Sequence, residues 1–356
     1  MKGLMKYLSP FAPDISGAAA VLFEMKGLII IIDAGGCAGN VCGFDEPRWF
    51  HERSAVFSAG LRDLDAIMGR DDKLMEKAGD ALSHMDARFL ALIGTPVPSV
   101  IATDYQALKR MGESRFGVPT FPIATTGMQL YDRGQEKAYL ALFSEYIGGK
   151  AAPAQQGTSE LGVLGATPMD LVNADSFASV RARLSDGRFD RVRIFGETLE
   201  DFQAASGLKE ILVISPSGLS AAELLKKRCG IPYSVCYPLP EGFAEAYTLP
   251  DGARKVLILH QAVLAETLRE KLSARYPEAE IDTATFFDPY GSCRHLAGED
   301  AFLSLFREGG YDVVIADPLL ARACRGWEGT FLPLPHFAVS GSLEALEQPA
   351  ARHETT

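Results

Sequence analysis

The sequence has no long uninterrupted hydrophobic run. A helix that crosses a bilayer needs roughly 18 or more apolar residues in succession, and no stretch of this chain reaches that length. Prolines and charged residues interrupt the N-terminal region, where a secretory signal would lie: Pro10, Pro13, Asp14, Glu24 and Lys26. We therefore expect a cytoplasmic location and no membrane partner.

An excess of basic residues is also lacking. The chain carries 35 lysines and arginines against 46 aspartates and glutamates, so its formal net charge is −11. The basic residues are scattered, whereas nucleic-acid phosphates are bound by clustered basic side chains. The composition therefore argues against a nucleic-acid partner.

A conventional phosphate-binding loop is the third absence. Four glycines crowd one short segment: Gly35, Gly36, Gly39 and Gly43. Their order does not give G-x-G-x-x-G, and the lysine and serine of a P-loop do not follow them. We therefore expect that this chain binds no nucleotide.

The same segment carries two of the six cysteines. Leu28–Ile32 is an apolar run typical of a strand buried on both faces, and Cys37 and Cys42 lie in the loop that follows it. Open α/β sheets bind ligands beyond the carboxyl ends of their strands, where glycines such as Gly36 and Gly39 let the backbone approach the ligand. Spacing alone leaves two interpretations open, a metal or iron–sulfur site or two small half-buried side chains. In a reducing compartment neither cysteine is expected in a disulfide.

Apolar runs alternate with helical patterns along the chain, which is typical of parallel sheets with crossover helices. We expect an α/β protein of three Rossmann-like parallel-sheet domains around a central cleft. The predicted divisions are 1–150 with the cysteine loop, 151–252, 253–347 and a flexible tail at 348–356, with a linker at 148–158. Within the first domain the pattern predicts a helix over Ala55–Ile67 and a strand near Ser99–Ala102.

Short motifs are distributed along nearly the whole chain. In the first domain they are Ser9, Pro10, Gly17, Ala18, Gly36, Cys37, Ser54, Val56, Phe57, Ser58, Leu61, Asp65, Gly69, Lys73 and Leu74, then Gly94, Thr95, Asp104 and Gly117–Thr126. Later they are Gly162–Gly165, Glu210–Ser217, Gly230–Tyr233, Lys255–Gln261, Tyr311–Pro318, Leu334–His336 and Ser340–Gly341. In order and spacing this set resembles the component 1 family of nitrogenase, with its relatives dark-operative protochlorophyllide reductase and nickel-tetrapyrrole reductive cyclase.

The resemblance implies an oxidoreductase subunit. It would accept electrons from an ATP-dependent iron protein through an iron–sulfur cluster and reduce a small metabolite or a tetrapyrrole. The cluster would be of the 4Fe–4S type and would bridge a homodimer or a paralogous heterodimer. One residue departs from the family: Pro96 stands where the second cluster cysteine is expected. Cys42 would replace that ligand, so that Cys37 and Cys42 of two chains supply four thiolates.

The departure at Pro96 also supports a second hypothesis. Without the usual cysteine, the chain would be a non-catalytic scaffold or carrier that binds a cluster or a metal cofactor. The two hypotheses differ in whether the bound centre performs a reduction.

Four further residues are expected at functional positions. Asp104 falls at an acidic position of the family, where it would orient a loop or act as an acid. Arg294 and His295 follow a third-domain strand and would face the central cleft as catalytic groups, unless they belong to a polar crossover loop. His336 lies in the segment that resembles the region where nitrogenase carries a cofactor histidine, and is expected to bind a cofactor.

Overall fold

The computed structural model describes residues 5–48, 54–147, 159–172 and 175–341. These residues form three sheets, and every strand pair within a sheet is parallel. Helical segments connect most consecutive strands within a sheet, as parallel pairing requires, whereas a loop leads from Thr285 to the short strand at Arg294–His295. The expected α/β architecture of three Rossmann-like domains is therefore confirmed. Within the described part of the chain, no helix is both long and apolar enough to span a membrane.

The first sheet has the strand order β2-β1-β3-β4. Its strands are β1 (Leu28–Ile31), β2 (Ala55–Ser58), β3 (Leu90–Ile93) and β4 (Thr120–Ile123). Its helices are α1 (Asp14–Leu22), α2 (Gly36–Asn40), α3 (Asp63–Met68), α4 (Asp71–Ser83), α5 (Pro96–Val100), α6 (Tyr105–Phe116) and α7 (Tyr131–Ile147). The two central strands are buried at every residue, which explains their unbroken apolar sequences.

The second sheet has the order β6-β5-β7-β8 and the third the order β11-β10-β9-β12-β13. The second comprises β5 (Glu160–Leu164), β6 (Arg191–Ile194), β7 (Glu210–Val213) and β8 (Tyr233–Val235), with α8 (Phe177–Leu184), α9 (Leu199–Gln203) and α10 (Leu219–Cys229). The third comprises β9 (Lys255–Leu259), β10 (Glu280–Thr285), β11 (Arg294–His295), β12 (Val313–Ala316) and β13 (Thr330–Pro333), with α11 (Ala262–Arg275), α12 (Glu299–Gly309) and α13 (Phe337–Ser340).

Two glycines allow α1 and α7 to pack with their backbones in contact. A Cβ atom on Gly17 would lie 1.9 Å from the carbonyl oxygen of Tyr131, and one on Gly134 would lie 1.7 Å from that of Asp14. No other residue fits at these positions without a shift of the backbone. The close approach also places the buried Asp14 carboxylate where it accepts hydrogen bonds from the Thr126 and Gly127 amides.

The three domains share apolar contacts. On α7, the ring of Phe143 lies 4.8 Å from that of Phe195 and 4.9 Å from that of Phe202, both in the second domain. Near the N-terminus, the Phe11 ring lies 4.8 Å from the Phe286 ring of the third domain. Residues of the range 1–150 therefore pack on both of the other domains. The boundaries 1–150, 151–252 and 253–347 stay a prediction. The predicted linker and tail lie outside the described residues.

Two local predictions were wrong. Ser99–Ala102 is not a strand, because Pro96 occupies the first turn of the short helix α5, a position that tolerates its missing amide. The first part of Ala55–Ile67 is strand β2 rather than helix. Its four residues pair with β1, and this tertiary pairing outweighs local helix propensity.

Candidate functional site

The cysteine loop lies at the carboxyl edge of the first sheet. Ile31, the last residue of β1, is paired with the last residues of β2 and β3, Ser58 and Ile93. Ile93 is in turn paired with Ile123, the last residue of β4. All four connections therefore start at the same level, and the segments that follow the strands share one edge of the sheet.

Side chains hold the cysteine loop at both ends. Asp33, which is buried, accepts hydrogen bonds from the Ala38 amide and from the Ser58 hydroxyl. At the other end, the Ser16 hydroxyl donates to Asp45 at 2.6 Å. Between them the chain forms α2 and then a π-helical turn, Val41–Asp45, a geometry frequent at functional sites. Asp33 and Asp45 thus fix the loop that presents the cysteines.

Cys37 and Cys42 are both half-buried free thiols. Burial raises the pKa of Cys37, and the nearby Asp33 carboxylate raises it further. Burial likewise raises the pKa of Cys42, with a smaller contribution from Glu46. Both side chains are therefore protonated thiols at neutral pH, and a metal would have to displace their protons in order to bind.

The glycines of this loop face open space. A Cβ atom on Gly36, Gly39 or Gly43 would meet no atom of the described residues within 4 Å. Only Gly35, with φ of 123°, needs glycine for its own backbone conformation. Packing within this chain therefore does not explain the other three glycines, whereas close approach of another molecule to the loop would.

Exposed apolar side chains lie on the segments at this edge of the sheet. They lie in or directly after the strands of the first sheet, and we call them the apolar edge: Phe44, Phe57, Leu64, Ile67, Met68, Val97, Val100, Ile101 and Met128. Phe44 is 76% exposed and Val100 is 84% exposed. A large exposed apolar area of this kind marks an interaction surface. Sequence reasoning missed these residues, although apolar side chains in short segments after strand ends were a readable signal.

Pro96 lies at the same edge. The hydroxyl of the preceding residue, Thr95, donates to the Ile32 carbonyl at 2.7 Å and so joins the ends of β3 and β1. A Cβ atom on Gly127 would lie 3.0 Å from Pro96 Cδ. An apolar ring thus occupies the position where the second cluster cysteine of the family was expected.

One chain does not complete a metal site. Among residues 5–48, 54–147, 159–172 and 175–341, no three His, Cys, Asp or Glu side chains converge as ligands for one ion. The loop offers two thiols, and an iron–sulfur cluster takes about four cysteine ligands. The donor chemistry therefore fits a cluster only if a second chain contributes the remaining ligands.

The other predicted site residues lie apart from this loop. Asp104 is exposed and caps α6, where it accepts hydrogen bonds from the Gln106 and Ala107 amides. Arg294 and His295 form the exposed edge strand β11 and line a surface groove of about 440 Å³. The structure therefore brings together Gly36, Cys37, Gly39 and Cys42, but not these three residues.

His336 is buried where the three domains meet. Its neighbours there form a polar cluster that we call the junction: Tyr131 and Gln135 of α7, Thr167 and Asp170 after β5, and His260 after β9. The imidazole rings of His336 and His260 are stacked, with centroids 4.0 Å apart. Burial lowers the pKa of His336 well below its usual value, and His260 lowers it further. His260 directly follows the apolar strand β9, and this position was the signal that could have located His260 in the sequence.

A cavity of about 660 Å³ lies between the first and second domains. The loops after β5 and β6 and the residues preceding β1 and β3 line it, among them Lys26, Arg48, Arg88 and Phe177. Two ion pairs join charged residues of its lining, Arg88 with Glu200 and Arg48 with Glu24. Sequence reasoning did not locate this cavity.

Fold and loop together define a class, the three-domain parallel α/β proteins with a thiol pair at the carboxyl edge of the first sheet. Residues 13–271 match the family described as Nitrogenase component 1 type Oxidoreductase. The chain belongs to that family. No curated protein matches it.

Solved structures support the same fold. The structure of nitrogenase Cp1 at pH 6.5 superposes with a TM-score of 0.67 at 11% identity, over 94% of this chain and 87% of that one. Nitrogenase Cp1 at pH 5 gives a TM-score of 0.61 at 13% identity, over 93% of this chain and 84% of that one. At this identity the likeness concerns the fold.

Proposed function

We propose that this chain is the electron-accepting subunit of a nitrogenase component 1-like reductase. In this proposal two chains meet at the apolar edge, and Cys37 and Cys42 of each hold one iron–sulfur cluster between them. One observation carries the proposal: a pair of half-buried thiols stands on an open glycine loop inside an exposed apolar surface.

Symmetry accounts for the ligand count. In a twofold dimer the same surface of both chains forms the interface, so a loop near the axis lies beside its own copy. Two thiols from each chain then make about four ligands, the number that a 4Fe–4S cluster requires. A second copy of this chain or a paralogue with an equivalent loop satisfies the geometry.

The residues around the loop would do the remaining work. Asp33 and Ser16 hold the two ends of the loop, which keeps the thiols in position before a metal arrives. The open space at Gly36 and Gly39 leaves room for the cluster and the second backbone. The apolar edge would exclude water from the buried centre, and such burial tunes a cluster's reduction potential. When bound, the cluster supplies a reversible one-electron store.

Family membership extends the proposal to partners. The electron donor would be an ATP-dependent iron protein related to nitrogenase reductase, and the electron acceptor a small metabolite or a tetrapyrrole. The cavity of about 660 Å³ supports a small-molecule substrate, because ligand pockets typically measure roughly 300–1,000 Å³.

A second function is favoured by the residue at position 96. Because Pro96 replaces one expected cysteine, a cluster held by the remaining ligands would dissociate more readily or would be transferred to another protein. In that case the chain is a non-catalytic scaffold or carrier for a cluster or metal cofactor. Electron delivery separates the two functions: a reductase subunit is reduced by an iron protein with ATP, and a carrier releases its metal to an acceptor protein.

Iron analysis tests the cluster. The chain is purified without air, and its iron and acid-labile sulfide are measured together with visible and EPR spectra. We expect about four irons per dimer, lost in Cys37→Ala and in Cys42→Ala. Cys236→Ala is the matched control, because Cys236 is an exposed thiol of the second domain and should leave the iron content unchanged. Iron-free wild-type protein, or equal loss in the control, contradicts the proposal.

A further inference from the structure

We infer that the junction of this chain is held closed by hydrogen bonds between protein groups and has room for one water molecule. It does not bind a metal cofactor. The inference rests on the packing around His336 and does not depend on the cluster proposed at the cysteine loop.

The space beside His336 is too small for a cofactor. The cavity lined by His336, His260 and Asp317 measures about 10 Å³. One water needs about 10–15 Å³ measured in this way, whereas ligand pockets are roughly 300–1,000 Å³. The rest of the lining consists of large apolar side chains, including Phe286 and Phe287. A cofactor could enter only after these side chains had moved apart.

Neighbouring rings occupy the surroundings of His336. The His260 ring stacks on it at 4.0 Å with an interplanar angle of 19°. The Phe287 ring meets it edge-on at 5.1 Å, and the Tyr131 ring at 6.1 Å. A metal ligand needs a nitrogen lone pair directed into open space, but Nε2 of His336 already lies 3.4 Å from the Tyr131 hydroxyl.

Hydrogen bonds connect all three domains at this point. Tyr131 of the first domain donates its hydroxyl proton to Asp170 of the second at 2.9 Å. The same carboxylate accepts from Gln135 at 2.9 Å and from Thr167 at 3.0 Å. Since the Tyr131 hydroxyl donates to Asp170, it can accept from His336 of the third domain. Opening a central cleft here would break these hydrogen bonds between the domains.

A hydrogen-bond acceptor of His260 indicates where the inferred water molecule binds. Nε2 of His260 lies 3.1 Å from the Pro335 carbonyl, which can only accept, so Nε2 carries the proton. Nδ1 of His260 is then an acceptor, and it has no partner among the described residues although it is fully buried. A buried acceptor beside a cavity of one-water volume is the setting in which proteins hold an ordered water.

Metal analysis tests the exclusion of a cofactor. The Cys37→Ala/Cys42→Ala double variant changes only the exposed loop, so its junction stays intact. After anaerobic reconstitution with iron and sulfide, we expect no bound metal in this variant. Metal that remains in the double variant and disappears on adding His336→Asn overturns the inference. Iron-free wild-type protein would contradict the cluster proposal but would agree with the inference about the junction. Failure of the one can therefore be distinguished from failure of the other.

A second readout uses metal-free protein and needs no substitution in the core. Histidine side-chain ¹⁵N spectra report the protonation and metal binding of each of the six histidines. We expect two histidines to stay neutral at pH 5.5 and unshifted by added Fe²⁺, each with its proton on Nε2. A crystal structure should show one water on Nδ1 of His260. Loss or shift of the His336 signal with Fe²⁺, or a larger cavity in the crystal, contradicts the inference.

Discussion

Replacement of Phe44 tests the interface of the proposed dimer. Phe44 is 76% exposed in the single chain, so Phe44→Ala should leave the folded monomer as stable as before. A buried phenylalanine contributes roughly 150–250 Å² of contact area, of which about three-quarters is still available here. At about 25 cal/mol per Å², and with part of the area kept by alanine, the loss of binding free energy is about 3 kcal/mol for the two copies of the side chain in a twofold dimer.

That loss corresponds to an increase of about 100-fold in the dimer Kd. Sedimentation equilibrium under anaerobic conditions measures the Kd directly, and thermal unfolding of the monomer measures its stability. Met5→Ala is the control, because Met5 is 43% exposed but lies outside the apolar edge. An unchanged Kd for Phe44→Ala, or an equal rise for Met5→Ala, would refute the reasoning.

Three further predictions concern glycines and buried titrating groups. Gly39→Leu should abolish dimer formation and iron binding while the chain stays folded, because no described residue lies within 4 Å of the added Cβ. Gly207→Leu, whose Cβ likewise meets none of the described residues, should change neither property in chromatography and iron analysis. Gly134→Ala should lower the free energy of unfolding by about 3 kcal/mol or more in urea titrations, because its Cβ would lie 1.7 Å from a carbonyl oxygen of α1; unchanged stability would contradict the backbone contact. Burial raises the pKa of Asp170 to about 6, so ionisation of this residue destabilises the fold as the pH rises from about 4 to 6. Burial lowers the pKa of His260 to about 4, so protonation of this residue destabilises the fold as the pH falls from about 6.5 to 4. The two slopes oppose each other, and Asp170→Asn should therefore make unfolding between pH 6 and 4 more acid-sensitive, by up to about 3 kcal/mol, than in the wild type.

The sequence allowed the architecture to be predicted because strand burial is a local signal. The runs that became β1 and β3 are apolar at every residue, and both are buried throughout. β2 was not recognised, since an edge strand that is partly exposed has no continuous apolar run and depends on pairing with β1. The position of the cysteine loop followed from β1, because a parallel strand leads directly to the carboxyl edge.

The surroundings of the site could not be predicted. Exposure of Phe44 and Val100 depends on what the rest of the chain covers, which no local pattern records. The environment of His336 depends on Tyr131, which lies 205 positions away in the sequence, and on a stacked histidine from another strand. Residue type alone made His336 resemble a cofactor ligand, whereas its packing leaves water-sized space beside it.

The central claim is that two chains share one cluster at the apolar edge. Anaerobic size-exclusion chromatography with in-line iron detection tests it most directly, applied to wild-type protein and to Phe44→Ala. The account predicts that iron elutes only with the dimer, and that the monomer released by the substitution carries none although it keeps both thiols. Iron that elutes with the monomer at the same ratio per chain as with the dimer would contradict a shared cluster.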